Sequence, residues 1–376
     1  MSGDTKPPEL QPRSQELQPG TNDTSCQFGL FLNMGANLGE THQEVFDFTI
    51  EQADAAEELG YHDLWITEHH FIRFGLNPDA LAASAFFLGR TRKMRVGTAV
   101  ALSPIRHPIK LAETAALLDQ LSGGRFDLGI GRGGYVKDYE VFDVDVARWS
   151  EEPKASAQVL LNAWGGTETA LPSSSVLTLM RSPDEPTEIL PQPRTKPHPP
   201  LFMATSSEPS LGYAAKHGLP LQHYFPIPVE QRIAIEQNYA NQLPSGSVAP
   251  THMHSLIAIV TDDATEAREK LLHGLSRSLQ TGDQAKVPQA KERHTDANGN
   301  PFTYDELAKM MAMGAIIGTP DVVADKLSAF IGATGARRIA IYPEMMSDRK
   351  LTLSSIKRFA EEVRPRFAEP KAVAAE

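Results

Sequence analysis

Cysteine is nearly absent. Cys26 is the single thiol among 376 residues, so no internal disulfide is available and a reducing, cytoplasmic setting is expected. No run of 18 apolar residues occurs, so the chain offers no candidate membrane span. The N-terminus lacks a charged-then-apolar signal pattern. It is instead polar and Pro-rich from Met1 to about Thr24, the composition of a disordered arm. Positive charge is in deficit: the formal net charge is −11. That balance argues against nucleic acid or an anionic membrane as a partner.

What the chain does have is alternation. Strand-like apolar runs fall at 28–32, 63–67, 95–100, 126–130, 201–204, 219–223, 254–260 and 338–342. Helical periodicity separates them, near 43–59, 79–89, 108–121, 155–163, 209–217, 229–242, 264–279 and 320–332, with a last helix near 353–363. Eight βα-like units predict an α/β fold closed as a (β/α)8 TIM barrel with long inserted loops. The expected organisation is an arm over 1–25, one barrel domain over 26–366 and a tail over 367–376. Two stretches break the rhythm, Gly165–Pro200 and Thr281–Tyr304, and loops this long are functional or disordered. Met310, Met311, Met313, Ile316 and Ile317 read as helix core in preference to pocket lining.

The chemistry concentrates where Trp65-Ile66-Thr67-Glu68-His69-His70-Phe71 ends the second strand. An acid and two imidazoles at one strand terminus stand where parallel α/β proteins place reactive groups. Imidazole gives and takes protons near neutral pH. Glu68, His69 and His70 are therefore candidate catalytic residues, and the two adjacent imidazoles should face opposite sides. A metal is not expected there, because neighbouring strand residues diverge and no Cys or third His completes a ligand set. Gly129-Ile130-Gly131-Arg132-Gly133-Gly134 is either a flexible turn or a place where backbone closely approaches a planar ligand. Its spacing is wrong for a dinucleotide-binding turn. Thr205-Ser206-Ser207-Glu208-Pro209-Ser210 is ordinary helix-start chemistry, and a helix start also binds phosphate.

The ordered series Phe74-Gly75-Leu76-Asn77-Pro78, Val96-Gly97-Thr98-Ala99-Val100, Arg106-His107-Pro108, Leu121-Ser122-Gly123-Gly124-Arg125-Phe126 and Gly129 to Tyr135 resembles the bacterial luciferase-like flavin monooxygenases. The pattern is nearest the luciferase α subunit. It is dense from about Phe28 to Phe142 and returns at Gly218-Leu219-Pro220 and Gly318-Thr319-Pro320. The resemblance implies a two-component FMNH2-dependent monooxygenase acting with O2 through a flavin C4a-hydroperoxide. The substrate would be a small organic molecule, either an aldehyde or a secondary-metabolite intermediate. A separate flavin reductase would supply FMNH2. His69 would then handle the hydroperoxide proton. Ala99, Val100, Gly131, Arg132, Tyr135, Ser206, Ser207 and Ser210 would hold FMN, with a cis non-proline peptide near 98–100 in many members and a lid in the Thr281–Tyr304 region. Arg106-His107-Pro108 reads as helix-start scaffolding.

The chain departs from the luciferase pattern at three points. Gly131 stands where the α subunit has a reactive cysteine, Ser206 stands near where the α subunit has an acidic residue, and an arginine expected near Ser150 is displaced to Arg148. Two other readings are F420-dependent hydride transfer and a catalytically silent flavin-binding subunit. The match over Glu68–Gly75 disfavours the first, and the presence of His69 the second. Helices over 79–89 and 108–121 are rich in small and apolar residues where a water-facing helix should be polar. Members of the family dimerise here, so the expected assembly is a two-fold homodimer.

Overall fold

The computed structural model describes residues 25–37, 39–135, 137–165, 189–283, 300–344 and 348–367. The expected arm and tail lie outside these residues except at 25 and 367, as do positions 166–188 and 284–299 of the two long insertions.

Eight parallel strands form the barrel: β1 Gln27–Leu32, β2 Asp63–Ile66, β3 Arg95–Thr98, β4 Phe126–Gly131, β5 Leu201–Met203, β6 Gln222–His223, β7 Met253–Leu256 and β8 Arg338–Ile341. Each pairs with the next, and β1 pairs with β8. β5 and β6 are joined by a bridge between Met203 and Leu221, where the Met203 N–H donates to the Pro220 carbonyl at 2.8 Å. The ring is therefore closed, as the alternation predicts.

The helices are α1 His42–Glu58, α2 Ala80–Arg90, α3 Pro108–Ser122, α4 Lys137–Val141, α5 Ala147–Trp164, α6 Glu208–Lys216, α7 Val229–Asn241, α8 Ala264–Asp283, α9 Tyr304–Met311, α10 Pro320–Thr334 and α11 Arg349–Arg358. Local sequence sets their ends. Thr41 and Glu44 form a capping box at α1, and the Asp79 carboxylate accepts from Leu81 and Ala82 N–H at α2. Gly123 stops α3 at φ 70°, a left-handed turn that favours glycine. Among the described residues no helix is long and apolar enough to cross a membrane.

Two expectations are corrected. The single strand expected over 254–260 divides at Ile257, and Ala258–Val260 pairs instead with Ile316–Gly318 outside the barrel ring. Ile316 and Ile317 are thus strand residues, not helix core. Met310 and Met313 are 48% and 76% exposed, so neither is core. A short apolar run carries no period that separates strand from helix.

The small residues of α2 and α3 divide between two faces. Ala80, Leu111, Ala112, Ala115 and Ala116 are buried against the barrel, whereas Phe86, Leu117 and Leu121 remain 49%, 44% and 76% exposed.

Inside the barrel, Phe31, Trp65, Phe202, Met253, Ala340 and Tyr342 form one apolar cluster. Its floor is ionic. Arg338 Nε donates to Asp63 Oδ2 at 2.7 Å, and its Nη2 donates to Asp127, which Arg95 also grips. The Arg338 guanidinium stacks 4.8 Å from the Trp65 ring and 5.2 Å from Phe202. Burial alone would raise the Asp63 pKa, but the Arg338 charge and His62 outweigh it and hold the carboxyl at about 2.

Removing one partner strands a buried charge. Arg338→Met should therefore cost about 3–5 kcal/mol in denaturant unfolding. Asp63 is depressed below the unfolded carboxylate value of about 3.9. Its contribution is present above that pH and is lost as pH falls through about 2. Arg338→Met melting like the parent chain would contradict this role.

Candidate active site

The mouth lies at the C-terminal ends of the strands, where β2 runs into the loop carrying His69. Asn77 fixes that loop: its side-chain amide donates to the Thr67 carbonyl at 2.6 Å, and its own carbonyl accepts the His69 N–H at 2.9 Å. Thr67 Oγ1 reaches the Asn33 side-chain oxygen at 3.2 Å, tying β2 to the end of β1. The His69 ring meets Phe74 edge-on at 5.1 Å and Tyr135 at 6.2 Å. A side chain at Gly75 would collide with His69 Nδ1, so glycine is needed there. That Nδ1 is enclosed and has no hydrogen-bond partner, although the ring as a whole is partly exposed. Burial pulls the imidazole down to about 4, with the Glu68 charge opposing the shift and His70 adding to it. At neutral pH the ring is uncharged.

Glu68 turns toward α2 and not to the mouth. Its Oε2 accepts the Ala80 N–H at 2.9 Å and Arg106 Nη2 at 2.7 Å, and its Oε1 accepts the Leu102 N–H at 3.4 Å. The carboxylate is committed to holding three segments together. His70 Nε2 lies 3.4 Å from Glu68 Oε1, and its ring packs on Phe142 at 4.9 Å.

β3 and β4 supply a thin wall. Thr98 Oγ1 donates to the Gly129 carbonyl and accepts its N–H, at 2.7 and 2.9 Å. The Ala99–Val100 peptide that follows is cis. A Cβ at Gly131 would stand 2.8 Å from Val100 Cγ2 and 3.4 Å from Ala204 Cβ. Ala99, Val100, Gly131 and Ala204 thus make a close-set surface of small groups. Arg132 is half-buried and its carbonyl accepts the Tyr139 hydroxyl at 2.8 Å. The Arg132 and Arg148 charges both act on that Tyr139 phenol. Tyr135 lies half-buried beside His69, its phenol pushed up to about 12 by burial and the Asp138 charge.

Beside that surface, just past Ala204, Ser206 is exposed, Ser207 is the N-cap of α6 and Ser210 is buried. The Ser207 hydroxyl makes no capping bond to its helix. The small groups past β3 and at the end of β4 adjoin a helix start, and the set fits a planar group that ends in an anion.

Sequence reasoning missed four residues here. Glu344, just past β8, accepts N–H bonds from Asn33 at 2.9 Å and Gly35 at 2.8 Å, and burial pushes its carboxyl up to about 7 against those bonds. Asp138 is buried with an unpartnered Oδ1, and burial raises it to about 6. Gln222 Nε2 donates to the Thr98 carbonyl at 3.0 Å, just below the wall. Tyr224 is 48% exposed and its phenol is raised by burial and by Tyr135. A carboxylate following the glycine-rich turn was a visible signal for Asp138. The partners of Glu344 and Gln222 lie too far away in sequence to be read.

The electrostatics of His69 are directly measurable. Its folded pKa lies below the unfolded value of about 6.5. The unfolded chain therefore takes the proton first, and stability declines as pH falls from about 6.5 toward about 4. An NMR titration should place the His69 midpoint near 4; a midpoint near 6.5 would contradict the burial argument.

The family profile described as luciferase-like monooxygenase matches residues 26–338. The alkanal monooxygenase alpha chain of Photobacterium leiognathi is 27% identical over 362 residues, covering 89% of this chain and 96% of that protein. The crystal structure of the monooxygenase RslO1 from Streptomyces bottropensis superposes with a TM-score of 0.72 at 24% identity, covering 91% of this chain and all of that one. The oxygenating constituent of 3,6-diketocamphane monooxygenase from a Pseudomonas putida plasmid, solved with FMN, superposes with a TM-score of 0.66 at 18% identity, covering 92% of this chain and 100% of that one. These structural likenesses show the fold.

Proposed function

The chain belongs to the luciferase-like monooxygenase family of flavin-dependent oxidoreductases, and we propose that it is the oxygenase of a two-component system using reduced FMN. Its substrate is a small organic molecule, an aldehyde or a secondary-metabolite intermediate. An aldehyde accords with the alkanal relative, and FMN with the diketocamphane enzyme. A separate reductase supplies the reduced flavin, which when bound provides the electrons that activate dioxygen. Ala99, Val100 and Gly131 offer the ring a flat surface, and Tyr135 stands at its edge. Ser206, Ser207 and Ser210 at the α6 start hold the phosphate, with Arg132 adding charge.

The observation that carries this reading is His69. It is a neutral imidazole at the mouth, gripped through its backbone, with an enclosed and unpartnered Nδ1. A group so placed holds or delivers a proton next to a reacting molecule. Glu68 acts as a positioning residue, since its oxygens are spent on Ala80, Leu102 and Arg106. The Phe74 ring packs edge-on against His69 and shields one side of it.

His69→Ala should retain FMN affinity and lose about 10²–10⁴-fold in single-turnover oxidation, the usual share of a positioned acid or base. Added imidazole should restore part of the rate, and His70→Ala should have the smaller effect. Near-native turnover in folded His69→Ala would remove its catalytic role.

Phosphate binding is tested separately. Ser207→Glu places a negative charge at the α6 start and should weaken FMN binding by tenfold or more, read by fluorescence titration. Unchanged affinity would refute the assignment.

For the assembly, exposed Phe86, Leu117 and Leu121 support a homodimer through α2 and α3. Sedimentation at micromolar concentration should give twice the chain mass of 41.1 kDa; a monomer would contradict it.

A further inference from the structure

A second cluster of reactive side chains lies on the outer, helix-covered side of the barrel, away from the mouth. His223 of β6 and His254 of β7 are direct neighbours in register. Gln222 points into the barrel, so His223 points out, toward α7. The two rings stack with centroids 4.8 Å apart. Glu236 of α7 caps them: its Oε1 stands 3.0 Å from His223 Nε2 and 3.3 Å from His254 Nε2. His223 and His254 are 2% and 1% exposed. The outer face of a parallel barrel sheet is ordinarily aliphatic, so three such groups on it require a reason.

We propose that His223, Glu236 and His254 bind a first-row divalent transition ion such as Zn2+, which ties α7 to β6 and β7. Several observations converge on this. The three donor atoms all lie within 4.8 Å of one another. A tetrahedral ion with ligands at about 2.0–2.1 Å separates its donors by about 3.4 Å, close to the two distances already present. His223 Nε2 and Glu236 Oε1 are buried and, despite their 3.0 Å separation, not aligned as a hydrogen bond. Neither atom is therefore used up in a hydrogen bond within the chain. Two imidazoles and one carboxylate form a ligand set that suits zinc and its neighbours. A cavity of about 370 Å³ opens beside the cluster, lined by Glu236, His254, Tyr239, His252 and Arg337. It gives an ion a path in and leaves room for a water as fourth ligand.

One neighbour opposes the ion. Arg232 is buried with Nη1 3.4 Å from His254 Nδ1, while its other donors bond the carbonyls of Ile227, Tyr224, Phe225 and Ser255. With Arg232 Nη1 donating to His254 Nδ1, the proton of the neutral ring sits on Nε2, 3.3 Å from Glu236 Oε1 but not in a hydrogen bond with it. Uptake then requires that proton to leave Nε2 and the long Arg232 contact to loosen. The competing account is a closed hydrogen-bond cluster that takes no ion.

The experiment uses full-length protein dialysed against chelator and then titrated with Zn2+ and with Co2+. One equivalent should bind, the melting temperature should rise by a few degrees, and cobalt should show the visible band of a four-coordinate site. Glu236→Gln and His223→Gln should each weaken binding by more than about 100-fold, since a lost ligand costs more than a lost outer partner. Should either variant fail to fold, X-ray absorption of the zinc-loaded parent decides. A first shell at about 2.0–2.1 Å that contains two imidazoles supports the site, and a shell with no imidazole overturns it. No stoichiometric uptake by the parent, or equal uptake in both folded variants, also overturns the proposal.

Discussion

Arg338 is the constraint on which the barrel depends. It enters from the last strand and spans two carboxylates on β2 and β4, strands that are not neighbours. Burying three charges is costly, and only a complete set of partners offsets that cost. The set is complete only when the ring is closed in one register, because Asp63, Asp127 and Arg338 must reach the same level. Trp65 and Phe202 then lie over the guanidinium and start the apolar filling of the barrel. A Cβ at Gly97 would press on the Trp65 ring, and one at Gly129 on Gln222. The glycines of β3 and β4 are therefore a consequence of how the interior is filled. The same thinning continues upward to Gly131, where it leaves the small-group surface at the mouth.

The mouth has a consistent electrostatic character. Burial raises Asp138 and Glu344 and lowers His69, so each group is moved toward its neutral form. The phenols of Tyr135 and Tyr224 move the same way. A site that suppresses charge in this manner strengthens any charge that does develop during reaction. It also suits apolar partners such as dioxygen and a small organic substrate. The helix start of α6 is the exception, where hydroxyls and the backbone dipole would favour the phosphate of the proposed FMN.

Much of this was legible in the sequence, for identifiable reasons. Most barrel strands showed because they are short apolar runs bounded by turn residues, whereas β6 and β7 showed only through the apolar residues beside them; α1, α2 and α3 showed because their caps are local. The position of His69 at the mouth was legible because a strand ending in ionisable residues is unusual. What failed to show was long-range. Ile316 and Ile317 read as helix core because a short apolar run has no period, and only the partner Ala258–Val260 makes it a strand. Glu68 read as a catalytic acid beside His69, yet its partners Ala80, Leu102 and Arg106 make it a clamp. Glu344 serves Asn33 and Gly35 from more than 300 positions away, and the His223–Glu236–His254 cluster unites residues from three elements. No local pattern encodes such meetings.

The central claim is that this barrel uses reduced FMN and dioxygen. Anaerobic titration of the dialysed protein with FMNH2 and with reduced F420, followed by mixing with oxygenated buffer, tests it directly. The account predicts saturable binding of FMNH2, much weaker binding of reduced F420, and oxygen consumption that depends on the protein. Preferential binding of F420 with no oxygen consumed would contradict it.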